Sequence, residues 1–366
     1  MKLKPINQQV VVVVGATSGI GRITALRFAE RGAKVVLAGR SHSALQSLVD
    51  EIYAKGGEAT SIVADVSEYD QVKSIADHAT STYGRIDTWV QAAAASMYAT
   101  FEHTTPQEFK RVIDVNLMSQ VYGAMAALPV LKQVGRGALI HITSVEARRA
   151  LPYQSAYAAS KRGIVAFLDA LRMELDEEGL PISVTNVMPA SINTPLFSKA
   201  LTRLGVKPRP LAPVYEPEVV ADVILHAAEH PVREIYAGGT GKGFGLLQRF
   251  SPNLAERTVK QIAFEGQKTN LPKAENSPHN LFSHIEGFDK VKGEFSDEAL
   301  PTSPYTRVQT SSVAKWGVAA LALVAGAFVS RRIIRYRQKA RSTLVERVVD
   351  RVRGFFVKNR AFELPF

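Results

Sequence analysis

Residues 8 to about 240 alternate short strand-like runs with helix-like stretches, the pattern of a parallel sheet covered by helices. The strand candidates are Val10–Val14, Lys34–Ala38, Thr60–Ala64, Thr88–Gln91, Ala138–Thr143, Ser183–Val187 and Glu234–Ala237. Several are β-branched runs without polar alternation, as expected of strands buried on both faces. Helical spacing fills the intervals: Ile164, Phe167, Leu168, Leu171 and Leu175 form one apolar stripe, and Val219, Val220, Val223, Ile224 and Ala227 another. Pro217 suits the first turn of the second helix. The fold class this predicts is α/β, a doubly wound parallel sheet occupying residues 1–240.

The pattern changes beyond that point. Residues 241–265 read as helical, with Leu246, Leu247, Phe250 and Leu254 available to pack on the domain. From about Gln267 to Ser312 the composition shifts to Pro, Asn, Ser, Thr and Gly, an extension or linker. The chain thus divides into 1–240, a helical extension and linker over 241–312, and a tail over 313–366. The tail opens on Trp316–Ser330, fifteen residues without charge. That is short for a transmembrane helix, which needs about twenty residues. It reads as a shallow or re-entrant insertion, a span with Lys315 snorkelling, or a buried or oligomer-forming helix. Leu344, Val345, Val348, Val349, Val352, Phe355 and Phe356 then keep helical spacing on one face, as in a helix lying on a membrane surface.

Charge matters once it is located. The chain carries +11, but Arg331–Phe366 holds eleven Lys/Arg against three Asp/Glu, or +8 of that total. A basic tail beside an apolar run points to anionic lipid and not to nucleic acid. The N-terminus runs straight into a strand and lacks a signal-peptide core, so the expectation is a membrane-associated protein with its catalytic domain facing the cytoplasm. There is no cysteine, and the eight histidines show no His-x-x-x-His spacing, so no metal site is expected.

Candidate chemistry sits at the strand ends. Gly15-Ala-Thr17-Ser18-Gly19-Ile20-Gly21 joins the first strand to a helix. A helix N-terminus with unpaired N–H groups holds a pyrophosphate, and only glycine lets the backbone turn and approach closely enough. The second strand ends in Ala38-Gly39-Arg40-Ser41 where an acidic residue would select a free ribose 2′-hydroxyl. Arg40 instead suits a 2′-phosphate and so favours NADP(H). Asp65-Val66 closes the third strand, where Asp65 either reaches the adenine edge or caps the next helix. Tyr157 and Lys161 stand four residues apart on one helix face, with Ser144 thirteen residues before Tyr157.

Over residues 8 to about 240 the chain resembles the short-chain dehydrogenase/reductase family. The resemblance rests on Gly15-x-x-x-Gly19-x-Gly21, Asp65-Val66, Asp114-Val115-Asn116-Leu117, Ser144, and Tyr157-x-x-x-Lys161. It implies a Rossmann-type fold and reversible interconversion of an alcohol with a ketone or aldehyde. Tyr157 would exchange the proton with the substrate oxygen, its pKa of about 10 lowered by the Lys161 ammonium and the oxidised nicotinamide. Ser144 would hold that oxygen, Lys161 the nicotinamide ribose, Asn116 a water linking lysine to solvent, and Thr194 the carboxamide. Residues from Ala190 to Pro213 would form a substrate-side lid, and homo-oligomers are common in the family. Three positions depart from the family pattern: Val14-Gly15, Pro189-Ala190, and Gln91-Ala92-Ala93-Ala94 where Asn-Asn-Ala-Gly is usual. The last removes an amide and a glycine beside the cofactor ribose. The expected function is an NADP(H)-dependent oxidoreductase with a small carbonyl or alcohol substrate, lipophilic if the membrane reading holds. The competing expectation is a nonenzymatic NADP(H)-binding scaffold at a membrane.

Overall fold

The computed structural model describes residues 1–239, 243 and 250–311. Its centre is a seven-stranded parallel sheet made of β1 (Val10–Val14), β2 (Lys34–Gly39), β3 (Glu58–Val63), β4 (Thr88–Gln91), β5 (Gly137–Ile142), β6 (Ile182–Pro189) and β7 (Glu234–Ala237). The order is β7-β6-β5-β4-β1-β2-β3, so the winding reverses between β1 and β4. In such sheets the crevice at the carboxyl ends beside that reversal is where ligands bind.

The all-valine β1 shows why the strands were legible. Val11 and Val13 face one helical layer while Val10, Val12 and Val14 face the other, all of them buried. Each contributes about 1.5–3 kcal/mol by leaving water. One layer contains α1 (Gly19–Glu30), α2 (His42–Ala54) and α7 (Glu218–Glu229); the other contains α3 (Tyr69–Tyr83), α5 (Ser119–Val134) and α6 (Ser155–Glu177). A short α4 (Pro106–Ile113) is opened by a Thr105/Glu108 capping box. It runs into α5 through a π-helical turn at Asp114–Met118.

The C-terminal part of the described chain differs from the sequence reading. A helix α8 (Pro252–Gly266) forms, but it packs through Ala255, Val259 and Ala263. Phe250 is 80% exposed and Leu254 52%, so neither docks on the domain. The buried residues fall at spacing i, i+4 along one face, and Phe264 adds an edge-to-face contact with the Tyr153 ring, centroids 5.3 Å apart. Leu246 and Leu247 lie outside the described residues.

The Pro/Asn/Ser-rich stretch read as a linker is bound to the sheet domain at intervals. Lys268–Pro272 pairs antiparallel with Val206–Pro208, and Ala299–Leu300 pairs parallel with Val214–Tyr215. Between these pairings Leu281 is fully buried, and beyond them α9 (Pro304–Thr310) places Thr306 against Gly238. Residues 1–310 form one compact unit. Polar composition concealed this packing because the segment is held largely by hydrogen bonds, which leave no periodic signal. Among the described residues no helix is long and apolar enough to cross a membrane. The tail over 313–366, with the insertion and surface helix read from it, lies outside the described residues.

Candidate active site

The carboxyl ends of β1, β2, β4, β5 and β6 open into one cleft lined by the turn after β1, Arg40, Asp65, Val66, Ala92, Ser144, Tyr157, Lys161 and Thr194. Gly15 has φ +82° and Gly19 +56°, left-handed values that a side chain would strain. A Cβ on Gly21 would sit 2.1 Å from the Gly15 carbonyl oxygen, and one on Gly15 would sit 2.6 Å from the Ala93 backbone. The turn closes tightly only because these positions are glycine. Ser18 at the N-cap of α1 makes no capping bond and instead accepts one from Lys199 Nζ at 2.7 Å. Such a cradle of glycines, a helix N-terminus and a nearby cation fits a diphosphate.

Arg40 borders the cleft at the end of β2. Its guanidinium donates to the carbonyl oxygens of Asn280 at 2.7 Å and Phe282 at 3.3 Å. Glu286 from the same C-terminal segment accepts from Ser43 at 3.0 Å and pairs with His284. The Lys290 carbonyl accepts from the Gly19 N–H at 3.0 Å. Residues 280–290 therefore border the cleft beside Arg40 and the glycine turn and take up one N–H of that turn, which the sequence reading did not foresee. Nor did it foresee Lys199, whose burial and Arg40 neighbour push its pKa down to about 8.

Asp65 does not cap α3, whose N-cap is Glu68. Its carboxylate accepts from the Ser67 N–H and hydroxyl and from Arg111 at 2.8 Å. Burial would raise the Asp65 pKa, but the Ser67 and Arg111 hydrogen bonds outweigh it and hold the group below the usual range. Arg111 also donates to the Leu281 carbonyl, tying β3 to the C-terminal segment.

At the other end of the cleft, Ser144 caps a single turn after β5 and accepts from the Glu146 N–H at 3.1 Å. That bond occupies a lone pair and leaves the Ser144 hydrogen to be donated elsewhere. Lys161 and Tyr157 project from α6. Lys161, only 1% exposed, donates to the Ile142 carbonyl at 2.9 Å, with its Nζ 5.4 Å from the Tyr157 ring centre. Burial drives the Lys161 pKa down to about 7, opposed by Glu146. In the protein without cofactor, the Tyr157 pKa lies above its ordinary value. Burial and then the Glu146 carboxylate push its pKa well above 10, with the Ser144 hydroxyl acting in the other direction. The expected lowering included the charge of a bound oxidised nicotinamide; in the protein alone, desolvation of the closed pocket dominates.

Asn116 is fully buried in the π-helical turn. Its side chain accepts from the Ala95 N–H at 2.8 Å and donates to the Ala95 carbonyl at 2.9 Å and to Ser160 at 3.3 Å. Both ends of the amide are thus committed to the loop after β4 and to α6. It braces that loop, and it is not among the residues lining the cleft.

The altered Gln91–Ala94 loop divides in two. Gln91 turns into the interior, where it accepts from Trp89 Nε1 at 2.9 Å, while Ala92, Ala93 and Ala94 line the cleft. Thr194 is buried beside Gly19 in the segment after β6. That segment, read as a lid over 190–213, contributes Leu196, Phe197, Arg209 and Leu211 to the cleft. Tyr98, Glu146, Gln154 and Gln267 also line it and were missed. Glu146 had a detectable signal, a lone acid in the otherwise uncharged run from Ala138 to Ala147. Gln267 had none.

Comparison with known proteins supports the same assignment. Residues 9–204 match the family model for short chain dehydrogenase. An uncharacterized oxidoreductase, YxnA of Bacillus subtilis (strain 168), is 41% identical over 276 residues, covering 74% of this chain and 77% of that protein. A cyclohexanol dehydrogenase of Acinetobacter sp. (strain SE19) is 32% identical over 60% of this chain and 86% of its own. Among solved structures, a short-chain type dehydrogenase/reductase from Mycobacterium marinum superimposes with TM-score 0.56 at 28% identity, covering 63% of this chain and 94% of that one. The chain belongs to the short-chain dehydrogenase/reductase family, and its Rossmann-type domain is that of a nucleotide-binding oxidoreductase.

Proposed function

We propose that the protein is an NADP(H)-dependent reductase or dehydrogenase that interconverts an alcohol and a ketone or aldehyde. The observation that carries this reading is the convergence of Ser144, Tyr157 and Lys161 on the cleft that the Gly15–Gly21 turn opens. The turn, Lys199 and Arg40 would hold the phosphates, while Lys161 and Thr194 would lie toward the nicotinamide half. The bound cofactor supplies the hydride acceptor or donor. In the reductive direction Tyr157, kept protonated by burial, donates its proton to the substrate oxygen while the Ser144 hydroxyl holds that oxygen in place. The buried Lys161 ammonium sits beside the tyrosine and stabilises the phenolate left behind. The nonenzymatic scaffold is the weaker reading, because these three groups are assembled at one point of the cleft.

Cofactor choice has two opposing signs in the structure. Arg40 favours a 2′-phosphate, whereas the Glu286 carboxylate near Ser41 and Ser43 favours the free hydroxyls of NAD(H). His284 beside Glu286 offsets that carboxylate when protonated, and Lys199 adds a second cation near Arg40. NADP(H) is the better-supported choice on charge. Titration of the full-length protein with NADPH and NADH, followed by tryptophan fluorescence, tests it. Arg40→Ala is expected to weaken NADPH about 10-fold or more, the scale of a lost charge-assisted pair, and to leave NADH nearly unchanged. Equal weakening of both cofactors would remove the 2′-phosphate role.

The basic, apolar tail supports a second element of the reading, attachment to an anionic membrane with the sheet domain on the cytoplasmic side and a lipophilic substrate within reach. Protein ending at Thr310 is expected to lose flotation with vesicles containing phosphatidylserine, which the full chain should retain. Full flotation of the shortened protein would refute attachment through the tail.

A further inference from the structure

Glu146 is a cleft residue to which the reading above gives no contact with substrate or cofactor. It is 8% exposed and lines the same cleft as Ser144 and Tyr157, and one of its carboxylate oxygens has no hydrogen-bond partner. Leaving a buried polar group unpaired is unfavourable, and more so when it is charged. A partner arriving with the substrate removes that cost. Position points the same way. The Glu146 N–H bonds to Ser144 Oγ at 3.1 Å, so the carboxyl group is carried by a turn whose cap is the hydroxyl that holds the reacting oxygen.

Other polar groups of the substrate side are already committed. Gln154 accepts from Ser96 and donates to Gln267, while Gln267 donates to the Pro152 and Ala263 carbonyls. Arg209 is paired with Glu298. Around them the wall is apolar, with Leu151, Leu196, Phe197 and Leu211. Three titratable groups bear on Glu146: Tyr98, and Tyr157 with Lys161 on α6. Burial raises the Glu146 pKa to about 8, against the Leu151 amide and the Lys161 charge. That direction favours the neutral acid, which can both donate and accept.

We propose that Glu146 is a substrate-recognition residue and that the substrate carries a hydroxyl on the carbon next to the one that exchanges hydride. The preferred substrates are then α-hydroxyketones and vicinal diols, not monofunctional ketones and alcohols. An ammonium in place of the hydroxyl fits less well, because it would bring a second positive charge beside Lys161. The assignment rests on the oxidoreductase reading and deepens it by naming the substrate class.

The test uses the full-length protein with NADPH and two matched pairs: acetone against hydroxyacetone, and cyclohexanone against 2-hydroxycyclohexanone. Wild-type protein is expected to favour the hydroxyketone about 10-fold or more in kcat/KM, the scale on which a site left with an unpaired polar group rejects an analogue. Glu146→Leu should bring that ratio close to one, and Glu146→Gln, which can still donate and accept, should keep most of it. The ratio is the readout, so a general loss of activity does not imitate the effect. A second readout avoids turnover. Quenching of bound NADPH fluorescence should show 1,2-cyclohexanediol binding more tightly than cyclohexanol, with the same response to the two variants.

A wild-type ratio near one, or a ratio that Glu146→Leu leaves intact, overturns the proposal. NADPH that binds while neither member of either pair is reduced counts against the reductase reading. In that case the two alcohols still decide the role of Glu146, and equal binding of both overturns it.

Discussion

Replacing Tyr157 by Phe is expected to lower kcat about 10³-fold, within the range over which a positioned acid or base contributes. NADPH affinity should change less than about 2-fold, since the change removes one oxygen from a ring that stays buried. Burial holds the hydroxyl protonated, the state needed for protonating a carbonyl oxygen during reduction. Phenylalanine preserves the packing of α6 and removes only the transferable proton. Stopped-flow reduction of a carbonyl at saturating NADPH separates the chemical step from binding. Turnover within a few fold of wild type would mean that another group supplies the proton.

Gly21→Ala should be nearly as damaging by a different route. The added methyl would lie 2.1 Å from the Gly15 carbonyl oxygen and 2.8 Å from its carbon, both backbone atoms, so the turn itself must move. We expect about 3 kcal/mol of destabilisation, at the upper end of ordinary single substitutions, and at least about 100-fold weaker NADPH binding. Gly84→Ala is the control. Gly84 has φ +77° at the C-cap of α3 with nothing within 4 Å, so the substitution strains the backbone without a clash. It should cost about 1 kcal/mol and leave cofactor binding alone. Thermal unfolding and NADPH titration of both variants check the contrast.

These predictions also mark how much was legible in the sequence. The sheet was readable because its central strands are buried on both faces; β1, β4 and β7 fall where the sequence placed them, and the other strands shift by one or two residues. The positions of Ser144, Tyr157 and Lys161 were readable from spacing along one helix and one strand end. Effects of the surrounding volume were not. The upward push on the Tyr157 pKa is one of these, because desolvation depends on what closes the pocket. Asn116 came out as a brace because a π-helical turn, with no simple sequence mark, directs its amide at Ala95. The stretch from Gln267 to Leu300 carried no periodicity, yet it supplies the carbonyls on Arg40 and the Glu286 beside Ser43. Helix α8 was expected from its apolar content, but Ala255, Val259 and Ala263 with Phe264, not Phe250 and Leu254, make its contacts.

The central claim is that this cleft transfers hydride between NADPH and a carbonyl compound under proton control by Tyr157. The most direct measurement is product analysis after full-length protein is incubated with NADPH and hydroxyacetone, with Tyr157→Phe run in parallel. The account predicts one alcohol formed per NADPH oxidised by the wild type and almost none by the variant. NADPH bound by both proteins with no alcohol formed by either, across other hydroxyketones as well, would contradict it and bring the nonenzymatic cofactor-binding scaffold to the front.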